Sequence, residues 1–250
     1  SVNSTTTVNL YPGVEIAYPG ADSAEPEGEV LYSHTVTNTG NADDVFDIVA
    51  VSSAGFGVTL NHTPSLAVSR GATETLLVTV TVPAGTGSDV IDVTTITVTS
   101  SHDPLPSAQV EDTTNVLLVR AVSIAPTSDT DTNLPGEYAV YTHTVKNEGN
   151  SVDTFDFSAV SSDEAFTPTL NSQSETLAKG ATFDLVLSVE IPPSAISGTT
   201  AVTTVTVNNE SESAMAAAVD TTTVARVRGI EISPRNLTAA GDPGKTVTYT

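Results

Sequence analysis

The stretch HTVTNTGNADDVFD, residues 34–47, occurs a second time as HTVKNEGNSVDTFD, residues 143–156. The two copies lie 109 positions apart (143 minus 34), and the matches continue on both sides of them. GATETLLVTVTVP, which ends at Pro83, corresponds to GATFDLVLSVEIP, which ends at Pro192. Because this period is far longer than the roughly 20–50 residues of a solenoid repeat, each copy is expected to form a domain with its own core.

The repeat divides the chain into four segments. Residues 10–118 are predicted to form a first repeat and residues 119–226 a second. Residues 4–16, STTTVNLYPGVEI, match residues 220–232, DTTTVARVRGIEI, which begin in the last strand of the second repeat. Residues 1–9 are therefore expected to be the terminal strand of a preceding repeat. DPGKTVTYT matches the beginning of a repeat, so residues 227–250 are expected to start an incomplete third one. The chain is interpreted as a segment of a longer array, or as a subunit whose end segments complete neighbouring subunits.

Apolar and polar residues alternate along several segments of each repeat, which predicts half-buried strands. Along residues 30–36, for example, Val30, Tyr32, His34 and Val36 fall on one face. About seven such segments per repeat, separated by Gly, Pro, Asn and Ser, predict an all-β chain of tandem immunoglobulin-like Greek-key sandwiches; a different Greek key would give the same pattern. The alternation slips near residues 92–95, which favours a bulge there. The short connection at residues 117–120 favours a stiff, extended array.

The composition excludes several classes of protein. The net charge is −22, with 8 basic and 30 acidic residues, which disfavours binding to nucleic acid and to anionic membrane surfaces. The chain has no cysteine for disulfides or thiol chemistry, and it has no apolar run of about 18 residues that would predict insertion into a membrane. Six Tyr, six Phe and no Trp offer few aromatic platforms for a glycan, and Tyr11 and Tyr18 are the exposed pair expected.

Three phrases carry a family resemblance: N-x-G-N, D-x-F-D and the strand end V-x-V-P, within TVTNTGNADDVFD and GATETLLVTVTVP. With the closing TTITVTS they resemble the bacterial and archaeal immunoglobulin-like modules of surface proteins. These modules include the CARDB-like repeats and the NPCBM-associated module first described in alpha-galactosidases. The resemblance implies an exported protein that serves as a stalk, spacer, adhesive or envelope element, and it implies no catalytic residue.

Acidic side chains follow the N-x-G-N phrase in both repeats, and they are the candidate metal ligands. A hard cation such as calcium binds carboxylate and amide oxygens. The same residues are explained equally well by Asx turns, in which the side chain bonds to the nearby backbone. No cofactor other than calcium is predicted. The candidate ligands are Asp43, Asp44, Asp47, Asp153 and Asp156.

His34 and His143 occupy equivalent inward positions, and they are predicted to be packed, hydrogen-bonded histidines. No motif supplies a nucleophile or a catalytic carboxylate for them, so the chain is not predicted to be an enzyme. His62 and His102 have no counterpart in the second repeat and are expected at the surface. Four N-glycosylation sequons begin at Asn3, Asn61, Asn209 and Asn236.

Two functions remain for such a chain. The first is a non-catalytic extracellular structural protein whose tandem modules build a cell-surface filament, sheath, surface layer or stalk. In one version of it, edge strands are shared between subunits by β-augmentation. The alternative is a carbohydrate-binding or adhesive accessory module of a secreted enzyme. The expected partners are further repeats of the same array, copies of the chain itself, or glycans, at an extracellular or cell-surface location.

Overall fold

The computed structural model describes residues 3–102, 106–211, 213–229, 238 and 240–248. Within these ranges the chain forms eighteen β-strands and no helix, and the strands divide into two sets of nine. The first repeat contains β1 (Val14–Ala17), β2 (Ala21–Ala24), β3 (Glu29–Asn38), β4 (Asp44–Ser52), β5 (Gly57–Leu60), β6 (Ser65–Val68), β7 (Thr73–Thr81), β8 (Ile91–Ser100) and β9 (Ser107–Val116). The second contains β10 (Val122–Ala125), β11 (Ser128–Asn133), β12 (Tyr138–Asn147), β13 (Asp153–Ser161), β14 (Thr167–Leu170), β15 (Ser174–Leu177), β16 (Thr182–Glu190), β17 (Thr200–Asn209) and β18 (Met215–Val224).

Each repeat is a sandwich of two sheets with the same topology. In the first repeat a four-stranded sheet has the order β1-β3-β7-β5, and a five-stranded sheet has the order β2-β9-β8-β4-β6. The second repeat has the orders β10-β12-β16-β14 and β11-β18-β17-β13-β15. The first strand pairs antiparallel at the edge of one sheet, and the chain then crosses so that the second strand pairs parallel with the last strand. The predicted fold class, all-β with tandem immunoglobulin-like sandwiches, is confirmed.

Each sandwich encloses a hydrophobic cluster of its own. The buried cluster of the first repeat draws on residues 16–116 and that of the second on residues 124–224. Phe46, Leu76 and Ile96 are fully buried in the first, and Phe155 and Leu185 are fully buried in the second. Burying a side chain of this size contributes about 1.5–3 kcal/mol, so both sandwiches have the means to hold their own sheets together.

The structure has nine strands per repeat where the sequence predicts about seven. The additional strands are the second and the sixth of each repeat, and those of the first repeat are Ala21–Ala24 and Ser65–Val68. Both are four-residue edge strands, and the former shows the burial of a single residue, Ala24. A segment this short and this exposed carries no alternating pattern, so its pairing depends on tertiary contacts.

The predicted bulge near residues 92–95 is wrong. Strand β8 pairs with both neighbours in an unbroken register, and buried residues alternate with more accessible ones along its whole length. The pattern slips only because two of the inward positions hold polar residues, Asp92 and Thr94. Both side chains are fully buried, so the apparent shift in periodicity marks a polar cluster in the core.

The segments outside the sandwiches have little regular structure. Residues 3–13, which include most of the predicted terminal strand, form no strand. Of the predicted third repeat, the structure describes residues 227–229, 238 and 240–248, where the amide of Lys245 donates to the carbonyl of Asp242 at 3.1 Å. In the part of the chain that is described, no helix has the length and apolar character needed to cross a bilayer.

Candidate functional site

The first Asn of the N-x-G-N phrase fixes the loop that follows β3 and β12. Asn38 is fully buried, and its Nδ2 donates to the carbonyls of Ala42 and Val68, each at 2.9 Å. Its Oδ1 accepts the amide of Gly40 at 2.9 Å. Asn147 makes the three equivalent bonds in the second repeat, also at 2.9 Å. An amide is required here because one side chain has to donate twice and accept once.

The second Asn of the phrase binds the chain segment that leads into its repeat. Asn150 Nδ2 donates to the carbonyl of Leu117 at 2.8 Å, and its Oδ1 accepts the amide of Val119 at 2.9 Å. Its own amide donates to the carbonyl of Val119 at 3.0 Å. Asn41 binds residues 9 and 11 through the same three bonds, at 2.8, 2.8 and 3.0 Å. This arrangement explains why the phrase occurs twice: each copy holds the linker ahead of its own sandwich.

The glycine of the phrase lets the linker approach the loop. A Cβ atom on Gly149 would lie 2.8 Å from the carbonyl oxygen of Val119, and one on Gly40 would lie 2.9 Å from that of Tyr11. Carbon does not approach backbone oxygen this closely, so a side chain at either position would displace the linker. We call Gly40 with Asn41, and Gly149 with Asn150, the linker clamps of the first and second repeat.

The linker between the repeats is bonded on both sides. The amide of Leu117 donates to the carbonyl of Ala24 in the first repeat at 2.8 Å, while its carbonyl accepts from the second-repeat clamp. Arg120 forms a 2.6 Å ion pair with Asp153, whose side chain is 9% exposed. Lys179 Nζ donates to the carbonyl of Gly85 across the junction. These contacts tie the linker to both sandwiches at once.

A buried His–Asp pair joins the two sheets of each sandwich. In the first repeat His34 Nε2, on β3, lies 2.9 Å from Asp112 Oδ2, on β9, and neither side chain is exposed. His34 Nδ1 donates to the carbonyl of Tyr18 at 2.9 Å, and Asp112 Oδ1 accepts the amide of Gly20 at 2.7 Å. The pair therefore also fixes the crossing of the chain between β1 and β2.

The contacts of the first pair favour the charged form of His34. Because Nδ1 of His34 faces a carbonyl, it carries a proton, and Nε2 then faces a carboxylate. Burial by itself lowers the pKa of His34, but the hydrogen bond and the charge of Asp112 outweigh it and raise that pKa above its ordinary value. Both ring nitrogens are thus occupied inside the core, and the imidazole has no position from which to act on a substrate.

The second repeat has the same pair with one contact fewer. His143 Nε2 lies 2.8 Å from Asp220 Oδ2, and His143 Nδ1 donates to the carbonyl of Pro126 at 2.8 Å. Burial raises the pKa of Asp220, and its Oδ1 has no hydrogen-bond partner. The hydroxyl of Thr203, directly across the strand pair from Asp220, is likewise without a partner. In the region the structure describes, these are the two buried side-chain atoms left unpaired.

A second polar cluster occurs only in the first repeat. Asp92 accepts from the hydroxyls of Ser52 at 2.6 Å and Thr94 at 2.7 Å, and from the amide of Ala54 at 2.8 Å. In the second repeat Ala201 occupies the corresponding position. The loss of this carboxylate explains why Thr203, the counterpart of Thr94, is left without an acceptor.

The structure does not bring together the predicted calcium ligands of the first repeat or those of the second. Asp44 is buried and accepts from Ser100 at 2.7 Å and from His102 at 2.7 Å, whereas Asp47 is exposed on the opposite face of β4. Asp43 accepts the amide of Arg70 at 2.8 Å. The second repeat repeats this division: Asp153 is bonded to Arg120, Thr154 and Asn209, and Asp156 is exposed. Among the described residues no group of three candidate ligands could hold a metal ion, and calcium binding stays a prediction.

The four sequons differ in accessibility. Asn3 is exposed, and Asn236 lies outside the described residues. Asn61 is exposed but occupied, since its Oδ1 accepts the amide of Leu77 at 2.8 Å. Asn209 is 1% exposed, and its Nδ2 donates to Asp153 and to two nearby serines. A glycan on Asn209 would have to be attached before the second sandwich folds, and glycosylation at all four positions stays a prediction.

Both predicted surface tyrosines are exposed, Tyr11 by 76% and Tyr18 by 68%. Tyr18 has a φ of 73°, a left-handed conformation that is uncommon for an aromatic residue. It lines a surface groove of about 760 Å³ together with Gln109 and Glu111. The left-handed backbone aims the Tyr18 carbonyl at His34, so the fold alone accounts for the conformation.

Comparisons with known proteins match the chain only at the level of architecture. No protein-family model matches it, and no curated protein does. The D00-D0 domain of intimin covers 83% of this chain and 98% of its own length, at 15% identity and a TM-score of 0.36. A protein of unknown function from Porphyromonas gingivalis W83 covers 84% and 99%, at 14% identity and a TM-score of 0.36. The sialic acid binding region of a Streptococcus sanguinis SK1 adhesin covers 85% and 78%, at 10% identity and a TM-score of 0.31. Function therefore has to be inferred from this chain's own contacts.

Proposed function

We propose that the chain is a non-catalytic extracellular structural protein, a stalk or spacer in which successive immunoglobulin-like sandwiches are held at a fixed mutual orientation. The observation that carries the proposal is the linker clamp. In a flexible tether the backbone groups would form hydrogen bonds to water, whereas those of residues 117 and 119 are bonded to the side chain of Asn150. The presence of the same linker clamp in both repeats favours a role in which the angle between modules matters.

Two further features support this role. The net charge of −22 keeps such a surface soluble and repels nucleic acid and anionic lipid. The two His–Asp pairs and Asp92 lie inside the cores, where they join strands to one another. Membership of the CARDB-like or NPCBM-associated modules, and assembly into a filament, sheath or surface layer, are finer versions of the same proposal.

The proposal is tested by measuring the distance between the repeats. The chain has no cysteine, so Glu111→Cys and Val219→Cys, at equivalent exposed positions of β9 and β18, can carry one spin label each. Pulsed electron paramagnetic resonance should give a single narrow distance distribution. Asn150→Ala should broaden it, while the matched variant Asn41→Ala, in the clamp of the first repeat, should not.

A broad distribution in the unmodified chain, or one that Asn150→Ala leaves unchanged, would contradict a fixed junction. Labelling of intact source cells with an antibody against the chain tests the extracellular location separately. Signal on unbroken cells is expected, and signal that requires permeabilisation would contradict it.

The second candidate function is glycan binding at the groove beside Tyr18. The observation in its favour is an exposed aromatic ring next to the amide of Gln109 and the carboxylate of Glu111, a combination that offers stacking and hydrogen bonds to a saccharide. A glycan array should then give a signal that Tyr18→Ala abolishes. Tyr138→Ala, which removes a tyrosine 55% exposed in the second repeat, is the matched control. Equal loss with both variants, or no signal at all, would remove this candidate.

A further inference from the structure

We infer that one end of the first repeat, called its head, is preformed to bind the opposite end, or tail, of another repeat. We infer further that the tail of the second repeat is the end that binds there. The head of a repeat is defined here as its linker clamp with the basic residue at position 70 or 179. The tail is the pair of loops that connect the second strand to the third and the seventh to the eighth. At the internal junction the tail of the first repeat contacts the head of the second. The inference rests on the proposed structural role and names its partner: a second copy of this chain.

The head of the first repeat has the same construction as the head of the second repeat, which is in contact with the tail of the first. Asn41 and Gly40 hold residues 9 and 11 through the same bonds with which Asn150 and Gly149 hold residues 117 and 119. Arg70 occupies the position of Lys179, whose Nζ donates to the preceding repeat. Asn150 is 5% exposed beneath the first repeat, whereas Asn41, with the same bonds, is exposed. The clamp therefore forms the same bonds whether or not a sandwich is stacked on it.

The tail of the second repeat has the same backbone frame as the tail of the first. In the first repeat the amide of Glu27 donates to the carbonyl of Val82, and the amide of Val82 donates to Gly28, each at 2.9 Å. Gly136 and Ile191 form the corresponding bond in the second repeat at 2.9 Å, and Ile191 also donates to Glu137 at 2.9 Å. The loops from the seventh to the eighth strand span 82–90 and 191–199, so both contain nine residues.

The residues that line the internal junction differ in charge from their counterparts on the second tail and the first head. A cavity of about 230 Å³ at the internal junction is lined by three carboxylate residues, Glu25, Glu27 and Glu148. The positions equivalent to these on the second tail and the first head are Leu134, Gly136 and Thr39. Glu148 is already paired with Lys146 at 2.7 Å, and Glu137 stands in the second tail where the first has Gly28. The second tail therefore exchanges two carboxylates for one, which lowers the charge that has to be desolvated in the contact.

An exposed isoleucine gives the second tail an apolar anchor. Ile196 is 76% exposed and corresponds to Gly87 in the first tail. A Cβ on Gly87 would lie 3.6 Å from the carbonyl oxygen of Asn150 in the head, and 2.5 Å from Asp89 Oδ1, a side chain that is absent from the second tail because Gly198 stands there. A side chain at this position therefore points towards the neighbouring head, and in the second tail it does not meet the aspartate that crowds it in the first. Covering Ile196 in this way would remove apolar surface from water.

The experiment can supply the second copy by joining two copies of the chain in tandem. Residues 4–8, STTTV, match residues 220–224, DTTTV, so a chain in which residue 224 is followed directly by residue 9 of a second copy preserves the repeat. The new junction then places the tail of one second repeat against the head of the next first repeat. Spin labels on Val219→Cys in the first copy and Glu111→Cys in the second report the distance across the new junction. The same two positions within one copy report the distance across the internal junction.

The inference predicts that the label distance across the new junction equals that across the internal junction, with a distribution equally narrow or narrower. Asn41→Ala in the second copy should broaden the new distance alone, and Asn150→Ala in the first copy should broaden the internal distance alone. A broad or displaced distance at the new junction, with the internal one narrow, would overturn the inference and leave the proposed function standing. If Asn150→Ala does not affect the internal distance, the proposed function fails instead. Circular dichroism of each variant confirms that both sandwiches remain folded.

Discussion

Replacing Asp112 by Ala should selectively destabilise the first sandwich, because this carboxylate connects its two sheets. The change leaves Nε2 of His34 and the amide of Gly20 without their acceptors at 2.9 and 2.7 Å, inside a core where both side chains of the pair have no exposure. Removing one partner of a buried charged pair costs about 3–5 kcal/mol. At about 1.4 kcal/mol per factor of ten, the open population of the first repeat should rise by roughly two to four orders of magnitude.

Hydrogen exchange measured by mass spectrometry resolves this effect repeat by repeat, which a single unfolding curve for two sandwiches would not. Peptides from β3, β7 and β9 should exchange faster in the Asp112→Ala variant, whereas peptides from β12, β16 and β18 serve as an internal reference. Glu111→Ala, an exposed neighbour on β9, should change protection by less than about 0.5 kcal/mol. A loss below about 1 kcal/mol in the first repeat, or an equal loss in both repeats, would refute the reasoning, because the pair would then not hold the sheets together.

Three other changes test separate contacts. Gly149→Ala places a Cβ 2.8 Å from the carbonyl oxygen of Val119 and should broaden the distance between spin labels on the two repeats; an unchanged distribution would show that the close approach is dispensable. Asp92→Ala removes several hydrogen bonds to one buried carboxylate and should lower the free energy of unfolding of the first repeat by about 2–4 kcal/mol, measured by hydrogen exchange of peptides from that repeat, and a change under about 1 kcal/mol would count against the cluster. Because the pKa of His34 is raised in the folded state, its contribution to stability is complete below its ordinary pKa near 6.5 and is lost as the pH rises through the folded value. Hydrogen exchange at several pH values should show this loss in the first repeat, and His34→Gln should abolish it.

Much of the fold follows from the repeated phrase and the alternation of apolar residues. Val30, Tyr32, His34 and Val36 are all buried as the pattern predicts, because one long strand faces a single core. The edge strand Ala21–Ala24 could not be predicted, since it has one buried residue and pairs with the last strand only after the sandwich has formed.

The candidate site was only partly predictable. The packed role of His34 follows from its inward position, but its partner Asp112 lies 78 residues away on another strand. A signal for that partner exists, because DTTNV and DTTTV repeat an Asp in the same phase as the inward residues of the last strand. The linker clamp was harder to predict from the sequence. The phrase N-x-G-N predicts a turn, and nothing local shows that Asn150 binds a segment some thirty residues earlier.

Residual dipolar couplings of the two sandwiches test the central claim most directly, since they report the orientation of each repeat in one alignment frame. If Asn150 and Gly149 fix the linker, both repeats should fit a single alignment tensor of the same magnitude, with the relative orientation set by the bonds at residues 117 and 119. Two tensors of different magnitude in the unmodified chain would show independent motion of the sandwiches, and would contradict a stalk with a fixed junction.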